Sequence, residues 1–184
     1  MSVTTSTVPS LAAGTWVIDP SHSTTGFAVR HLMVSKVRGR FTDFSGQIVV
    51  NEDGTASAEA EIVVDSITTD NEQRDAHLKT ADFFAAEEFP KATFKSTGFR
   101  VVNGDFIVDG EFTLRGNTRP VSLEVEYVGT NPGMGHGPVA GFEAKTVINR
   151  KDFGLTIDMP LDGGGTVVGD KITLNFEIEV GLQA

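Results

Sequence analysis

The sequence has 184 residues and a formal net charge of −10, and it contains no cysteine. Its length suits one domain, since all-β barrels of this size commonly remain undivided. The lack of cysteine excludes disulfides, zinc–thiolate sites and a cysteine nucleophile, and the acidic balance argues against a general nucleic-acid or anionic-membrane surface, because neutralising phosphates requires a basic face.

The first residues of the chain are rich in Ser and Thr, and we expect residues 1–13 to form a flexible lead before a domain that spans residues 14–184. The lead has neither the basic region nor the apolar region of a signal peptide, which predicts a cytoplasmic location. No stretch approaches the roughly 18 consecutive apolar residues of a membrane-spanning helix, so no integral membrane segment is expected.

Alternation with a period of two predicts strands through the first third of the chain. A short strand over 15–19 precedes a second strand over 22–31. The inward positions of this second strand are Thr25, Phe27, Val29 and His31. A longer strand over 36–51 contains Gly39 and Gly46, which predict bulges or tight bends at barrel corners.

The next strand, predicted over 55–65 after a hairpin turn over 51–54, has an apolar face made of unusually small side chains. Its inward positions are Ala56, Ala58, Ala60, Ile62 and Val64. Such a face leaves volume inside a barrel, which either bulky side chains from opposite strands fill or a ligand occupies. The sequence leaves both alternatives open.

The stretch 69–94 is the one long interruption of the strand pattern, and it predicts a short helical insertion around residues 70–80 with Asp70 as its N-cap. The charged candidates on this helix are Arg74, Asp75 and His77. The apolar side chains that follow are Phe83, Phe84 and Phe89. Pro90 ends any helix before the next strand. We therefore expect a helical plug that closes an opening.

The second half of the chain returns to alternating strands, separated by loops predicted over 116–120 and 131–138. These strands are predicted over 91–102, 106–115, 121–130, 142–148 and 171–180. Many amphipathic strands joined by short turns favour an up-and-down antiparallel barrel. A barrel of roughly eight strands is wide enough to hold one small ligand.

Short motifs with fixed spacing recur from residue 14 to residue 180. The first are Trp16-x-Ile18-Asp19-Pro20-x-His22-Ser23, Phe27-x-Val29-Arg30-His31 and Gly39-Arg40-Phe41. The later ones are Ser66-Ile67-x-Thr69, Arg74-Asp75-x-His77-Leu78, Asp82-Phe83-Phe84, Phe89-Pro90-x-x-x-Phe94, Gly110-x-Phe112-Thr113-Leu114-Arg115-Gly116 and Ile148-Asn149-Arg150-x-Asp152-Phe153-Gly154. In content and order these motifs resemble the YceI-like family, and the Arg-Asp-x-His and Asn-Arg-x-Asp-Phe-Gly pieces make the resemblance highly specific.

The resemblance implies a single lipocalin-like antiparallel β-barrel whose elongated hydrophobic tunnel holds a polyisoprenoid chain, such as an octaprenyl pyrophosphate or a quinone tail. The implied function is non-enzymatic binding, storage or transport of that lipid, without catalytic residues, metal or any cofactor besides the lipid. The lipid is the expected partner, nucleic acid is not expected, and a homodimer is left open. Many members of the family are periplasmic.

Inward-facing barrel side chains and the helical insertion are expected to contact the ligand. The expected contact residues are Phe27, Val29, His31, Phe41, Ala56, Ala58, Ala60, Ile62, Arg74, His77, Phe83, Phe84, Phe94, Phe112, Phe142, Leu174 and Phe176. Arg74 has two alternative roles, as a structural bridge or as a contact to a pyrophosphate or quinone oxygen.

Two rival functions come from other classes. One is a hydrolase or isomerase that acts on an isoprenoid through polar side chains. Its candidate residues are His22, His31, Asp75 and His77. The sequence has no recognisable Ser-His-Asp motif, phosphate-binding loop or metal-ligand spacing to support it. The other is a barrel with a filled core that acts only through a protein partner.

Overall fold

A computed structural model describes residues 11–159 and 161–184 of the chain. Its strands are β1 (Gly14–Ile18), β2 (Thr24–His31), β3 (Ser35–Phe41), β4 (Phe44–Val50), β5 (Ala56–Val63), β6 (Ile67–Thr68), β7 (Lys91–Val102), β8 (Asp105–Leu114), β9 (Asn117–Asn131), β10 (Val139–Asn149) and β11 (Val168–Leu182). One α-helix, α1 (Glu72–Leu78), lies within these ranges. Short 3₁₀ turns cover Pro20–His22, Val64–Ser66 and Arg150–Phe153.

The strands form an antiparallel sheet that closes on itself, because β1 pairs with β4 on one side and with β11 on the other. From β5 onward the neighbours follow the order β5, β7, β8, β9, β10 and β11. β1 and β2 lie along the same side of β11 as one bent strand, and β3 and β4 form a second bent strand beside them. The result is a closed eight-stranded antiparallel barrel with one short helix, which confirms the predicted fold class.

The hydrogen-bonded ladder branches at one end of this barrel. There β2 pairs with β3, and β3 pairs with the two-residue strand β6, where the ladder ends. The connection from β6 to β7 runs over residues 69–90 and packs into the same end through Phe83 and Phe84, which are buried. The predicted plug is therefore present as a segment that covers one end of the barrel.

The helix in this segment begins later than predicted. Asn71 rather than Asp70 caps α1, because its side chain accepts a hydrogen bond from the backbone nitrogen of Arg74 at 2.9 Å. Asp70 has a left-handed φ of 58°, and its carboxylate lies 3.4 Å from Arg40. Asp70 thus turns the chain before the helix. No residue of α1 is buried, so the phenylalanines after the helix hold the segment in place.

The single strand predicted over 36–51 is wrong, because the chain breaks at Thr42 and Asp43 into β3 and β4. Phe41 and Phe44 are both buried although they are three residues apart. Strict alternation would place two such positions on opposite faces, so the chain must leave the strand conformation between them. The strands predicted over 22–31 and 55–65 are shortened by the flanking 3₁₀ turns.

Of the predicted bulges or tight bends at Gly39 and Gly46, the bulges are wrong, since strand register is unbroken through both positions. These glycines instead allow close packing. A Cβ atom at Gly39 would overlap the ring of Phe27, and one at Gly46 would lie 2.6 Å from the carbonyl oxygen of Glu59. Gly39 and Gly46 therefore make room for neighbouring atoms.

The loop predicted over 116–120 is replaced by a two-residue turn at Arg115 and Gly116, whose φ values of 49° and 72° are both left-handed. β9 starts directly after it and includes Pro120, which lies opposite Glu111 in β8. Pairing between β9 and β10 ends at Glu124, so the missing N–H of Pro120 lies on an unpaired side of β9, where proline is tolerated.

The apolar core has two parts. The buried members of the first are Phe41, Val64, Ile67, Phe83, Phe84, Ala86, Ala92, Phe112, Leu114, Ile148, Phe153 and Leu155. Those of the second are Trp16, Val50, Ala140, Phe142 and Val180. Leu11 packs against the second part, and the Trp16 indole donates a hydrogen bond to the Ala12 carbonyl at 3.0 Å. Contacts with the barrel thus begin before the predicted boundary at Gly14, and the lead at residues 1–10 lies outside the described residues.

Candidate ligand-binding site

The barrel encloses two apolar cavities of about 240 Å³ and about 160 Å³, called here the first and the second cavity. The side chains that face both cavities are Thr25, Ile62, Ala92, Phe112, Leu174 and Phe176. Because the two cavities adjoin across these side chains, they are two compartments of one elongated interior.

The first cavity lies at the end where β2, β3 and the 69–90 segment meet. Most of the predicted contact residues line it. They are Phe27, Val29, His31, Phe41, Ile62, Arg74, His77, Phe83, Phe84, Phe112, Leu174 and Phe176. The lining also includes Met159 and Val167 from the connection between β10 and β11, and Val168 at the start of β11, which the sequence did not single out.

The second cavity lies toward β1, β4 and the opposite end of the barrel. Predicted contact residues on its lining are Ala58, Ala60, Ile62, Phe94, Phe112, Phe142, Leu174 and Phe176. Ala56 lines neither cavity, so its predicted position at the tunnel is wrong. It lies opposite Val50 at the start of β5 and packs against the core around Trp16.

Phe99 and Phe106 also line the second cavity, and their rings stack with centroids 5.9 Å apart. Phe106 has the same parity in β8 as the predicted contact residue Phe112, so alternation places it inward. Phe99 has the opposite parity to Phe94 on the same strand, and it faces inward because the β7–β8 register shifts between Ser96 and Gly98. Such a bulge reverses the inward and outward positions that follow it.

Arg74 is anchored at the first cavity by Thr69. Its Nε donates to Thr69 Oγ1 at 2.8 Å, and its Nη2 donates to the Thr69 carbonyl at 2.9 Å. Asp75 accepts from the Thr69 backbone nitrogen at 2.8 Å and from the hydroxyl at 2.5 Å. Desolvation opposes ionisation of Asp75, but the hydrogen bonds from Thr69 and Thr68 and the charge of Arg74 together outweigh it, so the pKa of Asp75 is lowered. This arrangement matches the structural alternative for Arg74, while the side chain still borders the cavity.

His77 borders the same cavity and is half exposed, with 51% of its side chain accessible. Its Nε2 lies 3.0 Å from the carboxylate of Asp82. Its ring packs edge-on against Phe83 with centroids 5.0 Å apart. His77 thus has its own carboxylate and aromatic partners at the cavity rim.

His22 lies apart from both cavities. Its Nδ1 is 2.8 Å from Asp19 and 3.8 Å from Glu179. The hydrogen bond to Asp19 and the charge of both carboxylates raise the pKa of His22, while hydrogen bonds from Ser21 and His22 lower the pKa of Asp19 to about 2. Of the four residues of the rival catalytic set, His31 and His77 line the first cavity, whereas His22 and Asp75 line neither cavity and bind Asp19 and Thr69.

Within residues 11–159 and 161–184, one group of side chains brings potential metal-ligand atoms within 4.8 Å of one another. It consists of Asp19, His22 and Glu179. The group includes His22 but not His31, Asp75 or His77, the other residues of the hydrolase or isomerase alternative. The His22–Asp19 hydrogen bond already accounts for its geometry.

Arg150 also lines the first cavity. It is a buried cation, because only 2% of its surface is exposed. Its guanidinium donates to the carbonyls of Leu155 at 2.6 Å and Ile157 at 2.8 Å. It also pairs with Asp158 at 3.1 Å and Asp170 at 3.2 Å. Arg150 therefore fixes the connection between β10 and β11 against the barrel.

A family model described as the YceI-like domain matches residues 16–180. The chain belongs to the YceI-like family. Among curated relatives, the UPF0312 protein SA2479 of Staphylococcus aureus (strain N315) is 35% identical over 172 residues, covering 91% of this YceI-like chain and 98% of the relative. The resemblance drawn from the motifs is thereby confirmed.

Solved structures share the barrel of this YceI-like chain. Burkholderia cenocepacia BcnA superposes with a TM-score of 0.75 at 21% identity, covering 88% of this chain and 98% of BcnA. A polyisoprenoid binding domain from Saccharophagus degradans, implicated in plant cell wall breakdown, gives a TM-score of 0.66 at 15% identity, covering 94% and 100%. At these identities the likeness establishes the fold. No helix of the described residues is both long and apolar enough to span a membrane.

Proposed function

We propose that this YceI-like protein binds a long-chain polyisoprenoid or isoprenoid-quinone lipid, without reacting with it, inside the two adjoining cavities. The observation that carries the proposal is the continuous lining of aromatic and aliphatic side chains along the barrel interior. Each buried methylene group contributes about 0.8 kcal/mol, so a long chain can be held with few polar contacts. The shared fold of the S. degradans polyisoprenoid binding domain supports the same ligand class.

Two observations favour this function over its rivals. Of the residues of the hydrolase or isomerase alternative, His22, Asp75 and His77 have separate partners. His22 and Asp75 also line neither cavity, which argues against one reaction centre built from all four residues. The cavities argue against a filled barrel that acts only through a protein partner. A binding protein of this kind serves storage or transport, because a hydrocarbon chain needs shielding whenever it leaves a bilayer.

The direct test is organic extraction of the purified protein followed by mass spectrometry. We expect a polyprenyl compound in near-stoichiometric amount. Its repeated absence, both after purification and after incubation with an isoprenoid mixture, would contradict the proposal.

Arg74 allows a test for a polar headgroup. Arg74→Ala should weaken binding of a pyrophosphate-headed isoprenoid by roughly 10- to 100-fold more than binding of the matched hydrocarbon, because a hydrogen bond to a charged group contributes about 1.5–3 kcal/mol. Isothermal titration with both ligands gives the comparison. Loss of the two Thr69 hydrogen bonds affects both ligands alike, so equal weakening would assign Arg74 a structural role only.

Residues 71–89 are expected to gate the tunnel. The helix in this segment buries no residue, and such segments open more readily than paired strands. Hydrogen exchange should show a larger gain in protection on lipid loading at 71–89 than at the hairpin turn 51–54. Equal gains at both places would contradict gating, and release of phosphate or an altered chain during the experiment would contradict the non-enzymatic function.

A further inference from the structure

The turn between β2 and β3 exposes three consecutive apolar side chains. Leu32 is 40% exposed, Met33 53% and Val34 81%. The turn is closed by a hydrogen bond from the Val34 nitrogen to the His31 carbonyl at 3.1 Å. Side chains this exposed make few contacts with the core of the barrel. Core packing therefore does not explain why the tip carries three apolar residues.

The backbone of this tip is unfavourable for the residues it carries. Leu32 and Met33 have left-handed φ values of 51° and 61°. Tight hairpin turns with two such residues strongly prefer Asn and Gly, and bulky side chains adopt this conformation rarely. The tip thus presents apolar side chains where folding alone favours small polar ones, which indicates a surface role.

The tip adjoins the end of the first cavity. The Leu32 nitrogen donates to the Val167 carbonyl at 2.9 Å, and Val167 and His31 both line that cavity. Met33 packs beside Gly165, where a Cβ atom would lie 3.1 Å from the Met33 side chain. A surface that covered the tip would therefore lie next to the first cavity.

The outward face of the same hairpin is basic. Its charged residues are Arg30, Lys36, Arg38 and Arg40, and no Asp or Glu occurs between residues 24 and 42. Arg30 lies directly opposite Lys36 in the ladder. Arg40 pairs with Asp70 at 3.4 Å, whereas Arg30, Lys36 and Arg38 have no carboxylate partner among the described residues. Asp158 and Asp170, near the same end, are paired with Arg150 and Lys151.

The acidic side chains of the chain lie on other surfaces, both in the segment over 65–88 and on the side of the barrel. Side chains of β8, β9, β10 and β11 form a polar hollow on the outside of the barrel. Its acidic members are Asp105, Glu124, Glu126, Glu143 and Glu177. The net charge of −10 therefore does not describe the hairpin, because every charged side chain between residues 24 and 42 is basic. Such a local patch acts on a charged surface at short range, within about one Debye length.

We propose that the β2–β3 hairpin docks on a bilayer containing anionic phospholipid. Leu32, Met33 and Val34 enter the boundary between headgroups and acyl chains, and Lys36 and Arg38 contact the phosphates. Docking brings the first cavity to the membrane surface. The role of docking in lipid loading rests on the proposed function, whereas docking itself is independent of that function. The local basic face overrides the expectation drawn from the overall charge.

Vesicle sedimentation tests the docking. We expect wild-type protein to sediment with vesicles of equal parts phosphatidylcholine and phosphatidylglycerol at low salt, and to remain in solution with pure phosphatidylcholine vesicles or at high salt. The variants M33Q/V34Q and K36Q/R38Q should each weaken binding by about tenfold or more. These side chains are exposed, and circular dichroism melting verifies that the variants fold.

Two matched controls lie elsewhere on the barrel. M134Q alters a residue that is 95% exposed in the loop between β9 and β10, and K95Q/K145Q removes two charges from β7 and β10. Both should bind vesicles as wild type does. Hydrogen exchange should show protection by anionic vesicles at residues 30–38 and none at 131–138.

Several results would overturn docking. They are wild-type protein that ignores anionic vesicles, equal binding to both vesicle types, or tip and control variants that bind alike. Association with an acidic protein in place of vesicles would also overturn it. Extraction of the same samples separates the two proposals, because isoprenoid present without vesicle binding contradicts docking only, and vesicle binding without any isoprenoid contradicts only the proposed function.

Discussion

Replacing Ala58 with phenylalanine should nearly abolish lipid binding while leaving a folded barrel. Ala58 lines the second cavity, whose volume is about 160 Å³, and a benzyl group there would occupy space that the lipid chain needs. Exclusion of about four methylene groups, each worth about 0.8 kcal/mol, corresponds to about 3 kcal/mol or roughly 100-fold weaker binding. Extraction with mass spectrometry and titration with a fluorescent isoprenoid both measure the loss.

The neighbouring Ser57 gives the matched control. Ser57 is exposed on the outer side of β5, so Ser57→Phe adds the same bulk to the same strand outside the barrel. We expect this variant to bind lipid as wild type does. The Ala58 backbone nitrogen donates to Ser96 Oγ at 2.8 Å, and that bond does not depend on the side chain. Undiminished binding by Ala58→Phe would remove the second cavity from the binding site.

Replacing Arg150 with methionine should lower the free energy of unfolding by about 3–5 kcal/mol, because it removes the buried donor of three backbone carbonyl groups, each of which costs about 1–3 kcal/mol when left unpaired. The guanidinium binds the carbonyls of Leu155, Ile157 and Gly169, and it pairs with Asp158. Methionine fills much of the space but leaves those carbonyl groups without a donor. Urea denaturation followed by circular dichroism measures the change.

Arg100 is the corresponding control for a surface pair. Its Nε lies 2.6 Å from Asp109, but half of the Arg100 side chain is exposed. Arg100→Met should therefore cost less than about 1 kcal/mol, as solvent-exposed ion pairs do. Similar losses for Arg100→Met and Arg150→Met would show that burial of Arg150 adds nothing to stability.

Alternation predicted the regular strands well because their inward positions repeat without interruption. The strand predicted over 91–102 matches β7 at both ends, and those over 106–115 and 171–180 overlap β8 and β11. The failures have local causes. The strand breaks at Thr42 because Phe41 and Phe44 are both buried, and strict alternation cannot place two positions three residues apart on the same face. This break lies at the bend between β3 and β4, beside the bend between β1 and β2.

The cavity lining was predictable wherever side-chain direction alone decides it. Alternation gives the face on which Ala56 lies but not its height along the barrel, so Ala56 was placed at the tunnel although it packs near Trp16. Met159 lies in an irregular segment that carries no periodic signal. The approach of His22 to Glu179 joins residues far apart in the chain, and such pairs depend on how the barrel closes.

The short strand β6 has a consequence for how the protein behaves at high concentration. The hydrogen-bonded ladder ends there after two residues. The next residue, Thr69, cannot extend the ladder freely, because its backbone nitrogen donates to Asp75 and its hydroxyl accepts from Arg74. A free edge recruits strands from other molecules only when it offers a long run of unpaired backbone groups. β6 itself is too short to recruit a strand, and it covers Arg40 and Phe41 of β3, so the longest edge left beside it is the part of β3 from residue 35 to residue 39. If the 69–90 segment opens as proposed, strand addition at high concentration is expected at that part of β3 and not at β6.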